Sequence, residues 1–464
     1  MSVEESLRAG SRERVVLGAV AVAAFLAVLD GTLVTVALAS LSQTFSARLD
    51  DVVWVTVSYL LAAAAVLPLL TWLTARWGPR RVFLGSLTAF LVTSALVGFA
   101  PGLGALIALR LLQGLAGGAL EPSSLTLTST TALPSDIGSA MGRMTLVINI
   151  APVFGPLIGA ALLTVADWSW LFWVKIPIGL VALVIVHRLL PADGTDRSTN
   201  RTAPARPDVI GMLLLGGGVV ALLLAVNRIG SASVPLLIAV AASGLAVIVL
   251  YVLRARRQSG STRLAAPFDV RLLGNRSYRA SLMVMPIVGL TMFGLLTQLP
   301  LLASKTYGLN GSANGLLVSA LGVGLLISMP NAGRFSDRRG TRALVVPGAA
   351  ALAVLLGLVA VGLALQALPL AALMVLLVLV GLALGTVAAP AFSNVYRALP
   401  ADQAAQGTTG MFLAVQSAAS LGVVAVALSA NGSAAWVFAV LAVLAVAAVL
   451  PGTSLPGRVT PAER

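Results

Sequence analysis

Long, uninterrupted apolar runs make up almost the whole chain, and short polar segments rich in arginine separate them. Each run is at least as long as the roughly 20 residues a helix needs to cross a bilayer, and none alternates as a barrel strand would. Fourteen runs are predicted as helices, at about 15–41, 52–75, 81–100, 103–131, 139–165, 168–190, 208–227, 233–253, 278–304, 312–332, 343–366, 368–397, 406–430 and 433–452. Phe99-Ala-Pro-Gly-Leu103 predicts a tight turn between the third and fourth. The longest polar stretches, about 191–207 and 254–277, are rich in Pro, Ser, Thr and Arg and read as linkers.

Two passages recur. Thr71-Trp-Leu-Thr-Ala-Arg-Trp-Gly-Pro-Arg-Arg81 follows the second run, and Gly333-Arg-Phe-Ser-Asp-Arg-Arg-Gly-Thr-Arg342 follows the tenth. Gly114 and Gly117 lead to Pro122 and Ala132-Leu-Pro-Ser-Asp136, just as Gly381 and Gly385 lead to Pro390 and Ala398-Leu-Pro-Ala-Asp402. The first six runs therefore correspond to the last six. The simplest organisation is an all-α membrane protein of two parallel six-helix halves, 15–190 and 278–452. Residues 191–277 form a linker carrying two extra helices, and 1–14 and 453–464 are tails.

Composition agrees with this architecture. Of 464 residues, 58% are hydrophobic and 10% charged, and the mean hydropathy is +1.00. There is no cysteine, which excludes disulfides, zinc–thiolate sites and thiol nucleophiles. The single histidine, His187, leaves no basis for a catalytic triad or a metal cluster, so neither an enzyme nor a metal site is expected. The net charge of +14 is almost all arginine, the only lysines being Lys175 and Lys305. The arginines gather in alternate loops, which orients a membrane protein and does not imply nucleic acid. Both termini are expected on the cytoplasmic side of the cell membrane, and the polar 1–14 segment lacks a signal-peptide pattern.

Against this background a few polar residues stand out. Asp30 is the one charge between Arg14 and Arg48, and Glu121, followed by Pro122, is the one other acid deep inside a run. A carboxylate near the centre of a span costs about 2.5–3.5 kcal/mol on insertion scales, so it needs a cation or a proton. Such a group is a proton-coupling candidate, and Glu121 is equally a candidate cavity site for a substrate cation, with a fixed ion pair (for Glu121, with Arg143) as the alternative. Lys175 either snorkels outward or is a cavity cation that repels cationic drugs or pairs with Asp30 or Glu121. The C-terminal half holds no deep acid; Gln298, Asn394 and Gln416 offer neutral hydrogen bonds there, and Met292 offers soft apolar surface for a cavity. Gly155-Pro156 removes a backbone hydrogen bond within the fifth run and permits close helix approach. The arginine loops with Arg76, Gly78 and Arg81, and with Gly333, Asp337, Arg338, Gly340 and Arg342, have the chemistry of a conformational gate: ion pairs formed across the halves in one state and broken in another.

These passages resemble the major facilitator superfamily, and more narrowly its fourteen-helix drug:proton antiporters, the quaternary-ammonium and Emr-type multidrug exporters. Leu29-Asp-Gly-Thr-Leu-Val-Thr-Val-Ala-Leu38 is similar to that group's first-helix signature, with Thr35 in place of Asn. Gly333–Arg342 matches the superfamily's loop motif in full, whereas the first copy has Thr71 and Ala75 where Gly and Asp are usual. Leu109-Arg-Leu-Leu-Gln-Gly-Leu-Ala-Gly-Gly118 and Ala151-Pro-Val-Phe-Gly-Pro-Leu-Ile-Gly159 are similar to the fourth- and fifth-helix motifs. Trp168–Gly179 is similar to the sixth-helix signature, with Lys175 where Asn is usual.

The resemblance implies alternating access and places Asp30 and Arg110 on one cavity face. A close Arg110 would keep Asp30 ionised, and separation would allow it to take a proton. The expected function is export of lipophilic compounds, cationic drugs among them, in exchange for protons. The alternative is export of an endogenous metabolite, antibiotic or lipid by the same coupling. No cofactor beyond the proton gradient is expected. The expected partners are the small-molecule substrate, protons and membrane lipid, with the chain acting as a monomer.

Overall fold

A computed structural model of the chain describes residues 3–132, 137–190, 206–227, 233–258, 264–265, 267–309, 315–400, 403–428 and 434–457. In chain order the long helices are α1 (Val3–Leu33), α2 (Trp54–Trp77), α3 (Pro79–Val97), α4 (Leu103–Thr131), α5 (Ile137–Leu163), α6 (Lys175–Leu189) and α7 (Val209–Asn227). They continue with α8 (Val234–Gln258), α9 (Arg276–Tyr307), α10 (Leu316–Arg339), α11 (Arg342–Ala364), α12 (Leu370–Ala398), α13 (Ala404–Leu428) and α14 (Ala434–Gly452). Among the described residues, eleven helices are long and apolar enough to cross a membrane, and Val209–Ala225 is a shorter apolar helix. The expectation of fourteen spans thus has eleven that meet both measures, and the fourteen-span count stays a proposal.

Turn chemistry sets the helix ends. Gly78, between α2 and α3, has φ 85° and ψ 156°. Gly340, between α10 and α11, has φ 85° and ψ 158°. Only glycine adopts this backbone region readily, so the loop repeat survives as a matching pair of dihedrals although its side chains have diverged. Asn275 caps α9 by accepting from Ser277 N at 2.9 Å and Tyr278 N at 3.1 Å.

The segments read as linkers are partly ordered. Arg206–Pro207 (β1) pairs in parallel with Leu264–Ala265 (β2), a small departure from an all-α chain. Arg254 donates to Asp208 at 2.8 Å, and Thr71 Oγ1 donates to the Pro267 carbonyl at 2.9 Å. Asp136, Asp402 and residues 191–205 lie outside the described residues.

The chain divides into two compact units. One contains Met1–Ala132, Phe154–Val220 and Gly244–Asp269; the other contains Leu133–Val153, Ala221–Ser243 and Val270–Arg464. These boundaries cut across the two inserted helices and α5. In the first unit α2 packs on α4. A Cβ on Gly114 would lie 2.9 Å from the Ala62 Cβ, and one on Gly118 2.7 Å from the Ala63 Cβ. In the second unit the equivalent α10 and α12 pack in the same way. A Cβ on Gly381 there would lie 3.0 Å from the Gly324 Cα. The recurring glycines of the fourth and twelfth runs are thus the close-approach points of the same helix pair, in keeping with small residues at membrane helix contacts.

Candidate functional site

Asp30 is completely buried in α1. Helical geometry holds only a little beyond it: Val34–Ala37 is a 3₁₀ turn, after which Leu38–Thr44 resumes α-helix. A mid-helix 3₁₀ stretch marks a place where a helix can change conformation. Gly155 of α5 packs beside this point, where a Cβ would lie 2.8 Å from the Thr32 Cβ and 3.4 Å from Leu33 N.

Two cations meet the Asp30 carboxylate. Arg110 Nη1 binds Oδ2, and Lys175 Nζ binds Oδ1. Both cations are fully buried. Arg110, on α4, also donates through Nε to the Val55 carbonyl at 3.0 Å and through Nη1 to Gln113 Oε1 at 2.7 Å. Gln113 Nε2 donates in turn to Ser94 Oγ of α3 at 2.6 Å. The guanidinium carbon lies 4.2 Å from the Tyr59 ring centroid, and Tyr59 hydroxyl donates to the Ala27 carbonyl at 3.0 Å. Phe172 sits between the cations, 5.6 Å from Arg110 and 5.1 Å from Lys175, and Phe90 lies 5.3 Å from Lys175 Nζ. Desolvated cation–π contacts of this kind are worth about 2 kcal/mol, which offsets part of the cost of burying a second cation.

The cluster is uneven. Arg110 is held by a carboxylate, a carbonyl, an amide and an aromatic face. Lys175 has three donors, and among the described residues it has Asp30 as its one ion partner and no further hydrogen bond. Of the roles left open for Lys175, snorkelling is not adopted: its ammonium points inward to Asp30. The pairing with Asp30 is one of the two pairings expected of it as a cavity cation.

Glu121 lies eleven residues beyond Arg110 on α4, about 16 Å along the axis at 1.5 Å per residue. It is half-buried and makes no ion pair among the described residues, and Arg143 is exposed. Tyr59 lies within electrostatic reach of both Arg110 and Glu121.

Asp337 accepts from Arg397 Nη1 at 3.0 Å, and Arg397 Nη2 donates to Ser336 Oγ at 2.6 Å and Ser393 Oγ at 2.8 Å. This pair joins α10 to α12 inside one unit. The reason is position: Arg397 ends α12 beside the α10 terminus. Arg338 and Arg342 are exposed, and the Arg342 backbone N–H donates to the Pro456 carbonyl at 3.0 Å. A Cβ on Gly142 would lie 3.3 Å from the Gly333 Cα, so α5 and the motif glycine touch closely. In the first copy Arg76 lies over the Trp72 ring at 5.8 Å, and Arg81 is exposed. The side chain of Pro156 lies outside the described residues.

Of the cavity candidates in the C-terminal half, Asn394 is 1% exposed. Its amide donates to Ser277 Oγ at 3.0 Å and Ser281 Oγ at 2.9 Å. It therefore joins α12 to α9 and does not face open space. Met292 and Gln298 are buried on α9, and Gln416 is half-buried on α13. Tyr59, Ser94, Phe172 and Arg397 were not singled out from sequence. Gln113 carried a signal, being part of the same fourth-helix motif as Arg110.

A bundle of apolar helices around one buried carboxylate and two buried cations defines a multi-pass membrane protein with a charged intramembrane centre. The family model described as Major Facilitator Superfamily matches residues 20–423, and again 281–464. The chain belongs to that superfamily of membrane transporters, and it is not an enzyme. Over 408 residues it is 31% identical to the "Multidrug resistance protein B homolog" of Mycobacterium tuberculosis, a match covering 87% of this chain and 74% of that protein. It is 38% identical over 199 residues to the "Tetracenomycin C resistance and export protein" of Streptomyces glaucescens, covering 43% of this chain and 36% of that protein. The solved structure of the proton:xylose symporter XylE superposes with a TM-score of 0.67 at 13% identity, covering 95% of each chain, and it shares the fold.

Proposed function

We propose that this chain exports lipophilic small molecules, cationic drugs among them, across the cytoplasmic membrane in exchange for protons. The observation that carries this reading is the Asp30 carboxylate held between Arg110 and Lys175 in a fully buried site. While both cations are engaged, the carboxylate stays ionised. When a shift of α1 or α6 draws a cation away, the carboxylate is left in apolar surroundings and takes a proton. The 3₁₀ turn after Asp30 gives α1 a place to shift. Lys175, with its single partner, is the member that separates most cheaply.

Glu121 has the second role. Half-buried and without an ion partner among the described residues, it attracts a cationic substrate in a low-dielectric surrounding. Asp30 serves the proton and Glu121 the substrate's charge. The arginine-rich loops and both termini face the cytoplasm, and no cofactor other than the proton gradient takes part. The names of the relatives, multidrug resistance and export of an antibiotic, support the reading.

The test is transport by the purified protein in proteoliposomes, with and without a pH gradient, across cationic, neutral and anionic lipophiles. Uphill movement of at least one class that collapses with the gradient is expected; movement indifferent to the gradient would refute proton coupling. A narrower reading, export of an antibiotic or another endogenous metabolite or lipid, is favoured by the 38% identity to the tetracenomycin C exporter in particular.

A further inference from the structure

Helices α3 and α6 enclose a groove of about 700 Å³ lined by Gly85, Thr88 and Val92 on one side and by Val184, His187 and Arg188 on the other. It lies apart from the Asp30 cluster. Val92 is 53% and Val184 55% exposed, so the groove opens outward from the bundle and not into its core. A Cβ on Gly85 would find nothing within 4 Å, so the missing side chain leaves open space. The equivalent helices of the other unit, α11 and α14, pack extensively against each other. A Cβ on Gly452 there would meet Val345 and Val346 side chains at 3.3 Å.

The groove is chemically polarised. Most of its length is apolar, and one end carries His187 and Arg188, both exposed, with exposed Arg81 near the start of α3. The last carbonyls of α6 carry partial negative charge that would repel an anion. Here they are covered: Arg80 Nη2 donates to the His187 carbonyl and Arg12 Nε to the Leu189 carbonyl, each at 2.7 Å. Arg188 has no ion partner among the described residues. From Leu84 to Val92 the groove follows nine residues of α3, an axial rise of about 12 Å at 1.5 Å per residue. That is close to the roughly 15 Å half-thickness of a hydrocarbon core. An apolar channel one leaflet deep, ending in Arg188 with no ion partner among the described residues, has the chemistry of an anionic lipid site.

We propose that this groove holds an anionic glycerophospholipid, one acyl chain lying along Gly85, Val92 and Val184 and the phosphate set against Arg188, with His187 and Arg81 at the rim. The site is separate from transport chemistry and does not depend on the exported substrate.

Native mass spectrometry of the full-length protein in detergent, with equal amounts of phosphatidylglycerol and phosphatidylcholine, tests it. One phosphatidylglycerol should be retained at least fivefold over phosphatidylcholine. Arg188→Gln combined with Arg81→Gln should bring the ratio to about one. Gly85→Phe, which enters open space, should abolish the retained lipid although the arginines remain. Equal retention of the two lipids by the unmodified protein would overturn the proposal. So would retention unaffected by Gly85→Phe, since the lipid would then lie elsewhere. If a variant proves unstable, a phosphatidylglycerol with a photoreactive acyl chain keeps the question open to test on the unmodified protein. Crosslinks within 84–92 and 183–188 support the groove, and crosslinks confined to other helices overturn it.

Discussion

Lys175 Nζ and the Asp30 carboxylate form a fully buried ion pair in which Asp30 is the one partner of the lysine among the described residues. Arg110 occupies the other carboxylate oxygen, so the cluster bears one more positive charge than negative. Such a centre is poised to lose a cation contact or to gain an anion.

Asp30→Asn should abolish pH-gradient-driven accumulation in proteoliposomes. Removing one partner of a buried pair costs about 3–5 kcal/mol when the remaining charge stays unpaired. Arg110 keeps its carbonyl, amide and aromatic contacts, and Lys175 can shed its proton, so the folded protein should survive with a lowered thermal midpoint. Unchanged uphill transport by this variant would remove Asp30 from the proton pathway.

Lys175→Met tests the lysine separately. It leaves the Asp30–Arg110 pair intact and replaces a buried ammonium with an apolar chain of similar length. Without the second cation the carboxylate binds a proton more readily, so half-maximal exchange should need about tenfold less proton. The measurement is the dependence of exchange rate on external pH. A purely structural lysine would lower the thermal midpoint and leave that dependence where it was.

Asp337→Asn and Arg397→Met should each slow conformational exchange more than they weaken substrate binding, because the pair lies at the helix ends between α10 and α12. Charge-assisted hydrogen bonds are worth about 1.5–3 kcal/mol, though the pair is about one-fifth exposed, which places it at or below the lower end. The double variant should be little worse than either single one. Stopped-flow exchange rates beside equilibrium binding check this; additive effects would mean that the two residues act independently.

Glu121→Gln should reduce transport of monovalent cations by tenfold or more and leave neutral lipophiles moving, since Asp30 still couples. Initial rates for one cationic and one neutral substrate decide it. Joint loss of both would make Glu121 a proton site. No change in either would make it structural.

The sequence determined the class of fold, the candidate charges and the repeat. Long apolar runs leave the backbone no choice but helix in hydrocarbon. The rarity of charge in those runs exposed Asp30, Glu121 and Lys175 individually, the fourth-helix motif carried Arg110, and the two loop copies were visible although one has Ala75 in place of Asp. Tertiary structure decided which of these charges meet. Lys175 is 145 residues from Asp30 and Arg110 is 80, and no periodicity within one helix reports where another helix places its side chains. It likewise decided that Asp337 takes Arg397 within its own unit and that Asn394 spends its amide on Ser277 and Ser281. Tyr59 carried no signal and Phe172, within the sixth-helix signature, was not marked individually, because an aromatic residue in an apolar run looks like any other lipophilic one. They become distinctive when a buried cation lies on the ring, a contact that depends on three-dimensional position alone.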